Sequence, residues 1–144
     1  MKAEAPSIAA EILLLSEHAE EVQLVRHALE NNNLNVVAAC RDVLPYLRGA
    51  GAYSGAARPD LILLDLDVSN PDDCDTLAEI KRDPELKRIP IVVLASDDSY
   101  EGVTRAYDLH ANAYILKPAD PEEFVRVIRA TLSFWLKLAR LPRE

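Results

Sequence analysis

The strongest constraint on this chain is the recurrence of short, continuous apolar runs at Ile12–Leu15, Leu34–Ala39, Leu61–Leu64, Ile91–Ala95 and Ala113–Leu116. They do not alternate with polar residues, which is the pattern of strands buried on both faces of a parallel sheet. The segments between them carry helical spacing instead. Val22, Val25 and Leu29 share one face, as do Leu77 and Ile80, and as do Val103, Ala106 and Tyr107. Strand and helix alternate throughout, which predicts an α/β chain of the doubly wound (βα)5 kind, built on a five-stranded parallel sheet.

The punctuation agrees with that reading. Pro59 and Pro90 stand just ahead of the third and fourth runs, where a missing N–H matters least. The stretch "ADPEEF" starts a helix, with Asp120 as N-cap, Pro121 at the first helical position and Glu123 at the third. Pro45 requires that its helix begin no earlier than about Arg41. The segment 49–60, "GAGAYSGAARPD", reads as a surface loop.

A length of 144 residues suits one domain, with a core over about 10–132 and a helical extension over about 133–144. A net charge of −8 argues against nucleic-acid binding, which calls for a basic patch. Cys40 and Cys74 form neither a metal-ligand pattern nor a disulfide framework and read as reduced thiols. The opening "MKAEAPSIAAEILLL" is interrupted by Glu4 and Glu11, so it does not read as a signal peptide. No apolar run approaches membrane-spanning length, and the expected location is cytoplasmic.

In a parallel sheet all strand C-termini share one edge, and ligands bind there. Ser16, Glu17 and His18 follow the first run, and Asp65, Leu66 and Asp67 end the third. Ser96, Asp97 and Asp98 follow the fourth, and Lys117 and Pro118 the fifth. Clustered carboxylates favour a hard cation such as Mg²⁺, and a lysine opposite them would neutralise an incoming phosphoryl group. Any one of these acids alone would read as a solvated loop residue. For the set, with Lys117-Pro118 opposite a strand-ending aspartate, coincidence is a poorer explanation.

The segments "EILLLSEHAEEVQLVRHAL", "PDLILLDLDV", "LAEIKRDPELKRIPIVVLAS", "RAYDLHANAYILKP" and "FWLKLARLP" together resemble a receiver domain of two-component response regulators over nearly the whole chain. The loop before the third strand and the "FWL…LP" ending are most similar to single-domain regulators paired with phytochrome-type histidine kinases. The resemblance implies a flavodoxin-like sheet of order 2-1-3-4-5. It further implies that Asp65 is the phosphoacceptor, Lys117 the phosphate-binding lysine and Tyr114 the aromatic switch. The metal would rest on Glu17, Asp65 and the backbone carbonyl of Asp67. The implied partner is a sensor histidine kinase.

Two positions depart from that pattern. The first member of the acidic pair is Ser16, which removes a carboxylate and predicts weak Mg²⁺ binding. The switch hydroxyl at the end of the fourth strand is replaced by Ala95. Ser96 is adjacent, but successive strand residues point to opposite faces, so it replaces that hydroxyl only if the chain turns there. His110, where the family usually has glycine, is expected at positive φ, which histidine adopts more readily than most residues. Together these departures predict output that depends weakly, or not at all, on phosphate, and leave open a pseudo-receiver acting as a dimeric interaction module. An enzyme reading also stays open: Asp65, Asp67 and Ser69, with Ser96 and Lys117, mimic the DxDx(S/T) set of haloacid-dehalogenase-type phosphatases, with Asp67 as general acid/base. Against it, two strands precede the motif, no acid pair follows Lys117, and no insert covers a substrate.

The last helix, from Pro121 to about Leu141, carries an apolar arc wider than docking on one sheet requires. Phe124, Ile128, Leu132 and Trp135 are assigned to the core. Val127, Phe134, Leu138 and Leu141 remain over and predict a homodimer interface. The acidic balance of the chain, net −8, argues against a membrane-surface role for this helix.

Overall fold

The computed structural model describes residues 9–29 and 31–138. Strand β1 (Glu11–Leu15) leads to helix α1 (Ala19–Ala28), then β2 (Asn33–Val37) to α2 (Val43–Leu47) and β3 (Leu61–Asp65) to α3 (Pro71–Arg82). β4 (Ile91–Ala95) leads to α4 (Tyr100–Asp108), and β5 (Ala113–Leu116) to α5 (Pro121–Ser133). The strands form one parallel sheet in the order β2-β1-β3-β4-β5.

Side-chain alternation divides the core between the two faces. Ile62 and Leu64 point toward Val43, Leu77, Ile80 and Ala106 of α2, α3 and α4. Leu61 and Leu63 point toward Val25 of α1 and toward Phe124, Ile128 and Leu132 of α5. Continuous burial, predicted for all five strands, holds for β1, β3 and β4. β2 and β5 are the sheet edges, and their residues are mostly half-buried or exposed. β2 also stops at Val37 rather than Ala39, because the chain turns into a 3-10 segment at Cys40–Asp42.

The helix starts follow their local chemistry. Asp120 accepts the Glu123 N–H at 3.1 Å, with Pro121 at the first helical position, as the sequence predicts. Asn70 caps α3 in the same way at 2.9 Å, and Ser99 accepts the Gly102 N–H of α4 at 3.0 Å. Of the face predicted for α4, Ala106 is buried but Tyr107 is exposed. The α-helical part of α5 ends at Ser133, short of the predicted Leu141, and a π-helical turn follows over Phe134–Leu138. The Thr131 hydroxyl donates to the Val127 carbonyl at 2.8 Å just ahead of this change, in competition with the backbone ladder. Among the described residues no helix is long and apolar enough to cross a membrane.

Register brings the strand ends level. Leu15 pairs with Leu64, so Ser16 and Asp65 leave the sheet side by side. Asp65 pairs with Leu94 and Ala95 with Leu116, and the Lys117 N–H donates to the Ala95 carbonyl at 2.8 Å. Residues scattered over a hundred positions therefore meet at one edge.

Candidate functional site

At that edge Lys117 Nζ lies 2.9 Å from Asp65 Oδ1 and 3.0 Å from Glu21 Oε1. One ammonium thus bridges two carboxylates, and all three side chains are largely buried. Glu21 comes from the first turn of α1. Its other oxygen, Oε2, is buried without a hydrogen-bond partner. Ser16 is buried too, and its hydroxyl accepts the His18 N–H at 3.2 Å, turning the chain into α1.

The charges are unequal in stability. Burial, and then the neighbouring Glu21, push the Asp65 carboxyl up to about 6, with Lys117 opposing only in part. Burial also works to raise Glu21, but Asp65, Ser16 and Lys117 together outweigh it and hold that carboxyl below its usual value. For Lys117, burial favours the neutral amine, yet the two carboxylates prevail and keep it charged to higher pH than usual. Of the two acids, Asp65 is therefore the one that takes a proton first.

The remaining residues singled out from sequence are placed as follows. Glu17 is exposed. The exposed Asp67 accepts the Ser69 N–H at 2.9 Å and its hydroxyl at 2.6 Å, which hold its carboxyl below the usual range. Its backbone carbonyl accepts the Asn70 N–H at 2.9 Å, which leaves a second lone pair. Among the described residues no three His, Cys, Asp or Glu side chains converge as a ready metal cage. Ala95 is buried against the α4 side, and Ser96 is exposed just past the strand. The Tyr114 hydroxyl donates to the Asp97 carbonyl in the loop after β4. Arg105 of α4 donates to the Val68 carbonyl at 2.8 Å and ties that helix to the loop after Asp65. His110 has φ of +72°, as expected from its place after α4.

Glu21 is the residue that sequence reasoning missed. It stands four positions before Val25, on a face already assigned to the core by periodicity. A charged residue at a core position is the signal that would have found it.

The site is thus a largely buried aspartate that ends the middle strand of a parallel five-stranded sheet and pairs with a lysine after β5. The chain belongs to the response regulator receiver domain family, whose model matches residues 12–129. It is similar to the response regulator Rcp1 of Synechocystis, 35% identical over 135 residues that cover 91% of this chain and 92% of that protein. Among solved structures it resembles the phosphorylated cyanobacterial phytochrome response regulator RcpA, with a TM-score of 0.88 and 37% identity over 94% of this chain and all of that one. It also resembles the Mn²⁺-bound form of Rcp1, with a TM-score of 0.85 and 33% identity over 93% of this chain and 99% of that one. The protein is a receiver-domain response regulator of two-component signalling. Receiver domains bind a divalent metal and are phosphorylated by sensor histidine kinases, and they are generally signalling proteins rather than enzymes.

Proposed function

We propose that Asp65 accepts a phosphoryl group from the phosphohistidine of a phytochrome-type sensor kinase in the cytoplasm, and that output passes through protein–protein contacts. The observation that carries this reading is the 2.9 Å contact between Lys117 Nζ and Asp65 Oδ1 at the ligand-binding edge of the sheet. In the transfer, an Asp65 oxygen forms the new bond to phosphorus as the nitrogen–phosphorus bond breaks, and the imidazole leaves. Little covalent chemistry falls to the protein, so positioning and charge neutralisation account for the rate. Lys117, 2.9 Å from Asp65 Oδ1, is the cation that would meet a phosphoryl oxygen. Asp65 stands beside Leu94 in the sheet, one residue beyond the Leu15–Leu64 pair.

The donor set fits a hard cation: a strand-end carboxylate, an unpartnered buried carboxylate oxygen and a carbonyl with a spare lone pair. Bound Mg²⁺ would neutralise charge on the phosphoryl group, with Asp65, Asp67 and Glu17 as its first candidates. Ser16 supplies no charge, which favours weak binding. Ala95 supplies no hydroxyl, and the Tyr114 hydroxyl already donates to the Asp97 carbonyl. A phosphoryl group on Asp65 therefore has no strand-four hydroxyl to pull, and the two states should differ little. That observation favours a second reading, a pseudo-receiver whose output does not depend on phosphate.

The phosphatase alternative has less support. Asp67 would be its general acid, yet it lies at the surface and its hydrogen bonds from Ser69 hold that carboxyl below its usual range, which disfavours the protonated form. For self-association, Phe134 is 51% exposed beside Trp135, and Val127 is half-buried. The Leu138 side chain and Leu141 lie outside the described residues. Together these support a single receiver domain that dimerises through α5 and its extension.

Acetyl phosphate with Mg²⁺, followed by intact mass, tests the acceptor. Wild type should gain one phosphoryl group and Asp65→Asn none. An unlabelled wild type rejects the acceptor reading in favour of the pseudo-receiver. Light scattering of the labelled and free forms tests the coupling, and a large change in dimerisation would reject weak phosphate dependence.

A further inference from the structure

Ser16 enters the site from β1 as a short neutral side chain, whereas Glu21 reaches the same edge from α1. Glu21 Oε1 lies 3.0 Å from Lys117 Nζ, which in turn lies 2.9 Å from Asp65. Glu21 is only 9% exposed, and its Oε2 is buried with no hydrogen-bond partner. The polar neighbour Ser16 helps to stabilise its charge but makes no hydrogen bond of ordinary geometry to that oxygen. Leaving a buried acceptor unpaired costs about 1–3 kcal/mol, and more when it is charged. An apolar residue would pack against Val25 and the sheet without that cost. Both oxygens belong to one carboxylate, so the unpartnered one lies in the site that Lys117 and Asp65 define.

We propose that Glu21 is a ligand of the divalent cation in this site, supplying from α1 the carboxylate that Ser16 does not supply from β1. This rests on the phosphoacceptor reading for the purpose of the cation, though not for its binding. The chemistry fits. A small hard cation needs only one or two protein carboxylates, the rest of its shell being water and carbonyl oxygen. Asp65 and Glu21 face a single ammonium, so the cluster carries a net negative charge that a divalent cation reverses. An incoming cation also competes for the oxygens Lys117 now bridges, which frees the ammonium to turn toward a phosphoryl oxygen.

Calorimetric titration of the full chain with Mg²⁺, without phosphoryl donor, tests this. Glu21→Gln should bind Mg²⁺ about tenfold more weakly than wild type or worse. Ser16→Asp in the Glu21→Gln background should recover most of that loss, which a merely structural role for Glu21 would not produce. Ser16→Asp alone should gain less than about threefold, because the two carboxylates serve one function and their effects do not add. If Glu21→Gln fails to fold, Glu21→Asp keeps the charge, shortens the reach, and should still weaken binding. Wild-type affinity in a folded Glu21 variant, equal gains from Ser16→Asp with and without Glu21, or no Mg²⁺ binding by wild type would each overturn the proposal. Failure of the acceptor reading looks different: Mg²⁺ binds and Glu21→Gln weakens it, yet acetyl phosphate leaves Asp65 unlabelled.

Discussion

Replacing Asp65 by asparagine keeps its shape but removes one of two buried carboxylates that share Lys117. Burial, with Glu21 second, pushes the Asp65 carboxyl from its ordinary 3.8 up to about 6. Its folded pKa therefore lies above its unfolded pKa, and the folded chain holds the extra proton in between. The stability this group contributes is fully present below about pH 3.8 and is lost as pH rises through about 6. At about 1.36 kcal/mol per pKa unit, the gap of roughly two units is worth at most about 3 kcal/mol. The opposite shifts of Glu21 and Lys117 reduce the net effect. Asparagine cannot ionise, so Asp65→Asn should be about 1–3 kcal/mol more stable than wild type near pH 8 and nearly equal to it near pH 4. Urea denaturation across that range, with divalent cations chelated, measures the difference. A variant less stable than wild type at the alkaline end, or a gap that does not shrink on acidification, would refute the reasoning. Adding Mg²⁺ should narrow the gap, since it stabilises only the form with the acidic site intact.

Three further outcomes are expected. Lys117→Gln leaves Asp65 and Glu21 buried without their shared counter-charge and should cost about 2–4 kcal/mol near pH 8, less near pH 5, by the same denaturation series; a pH-independent loss would point to packing instead. Ala95→Ser places a hydroxyl at the end of β4, where the residue is buried beside the α4 layer. Acetyl phosphate should then change light scattering or tyrosine fluorescence more than it does in wild type, and identical responses would remove Ala95 as the reason for weak coupling. Phe134→Glu puts a charge on an exposed aromatic at the end of α5 and should convert dimer to monomer by light scattering, whereas an unchanged dimer would move the interface elsewhere.

Much of this architecture could be read before any coordinates. Leu61–Leu64 is continuous because β3 is covered on both faces, and Asp65 ends it where the strand reaches the edge of the sheet, although Leu66 beyond it is still buried. The same rule placed Lys117 opposite Asp65, since all strand ends of a parallel sheet share an edge. Asp120 announced α5 through local capping alone. The edges were less legible. Leu34 and Val36 look as buried as Leu13 in sequence, but β2 has a neighbour on one side only, and they are half-exposed. The change to a π-helical turn after Ser133 has no periodic signature, because the residues on either side of it are equally apolar.

Periodicity and turn chemistry by themselves determined the order of elements, the parallel sheet and the acid–lysine edge, since these follow from short-range preferences repeated along the chain. Only the tertiary structure decided which carboxylate shares Lys117 with Asp65. Glu21 lies 96 positions from Lys117, and although a charge on a helix face that reads as core marks it as unusual, nothing local says which residues it meets. The packing of α1 against the sheet carries its side chain to the strand ends, and burial there makes its unpartnered oxygen matter.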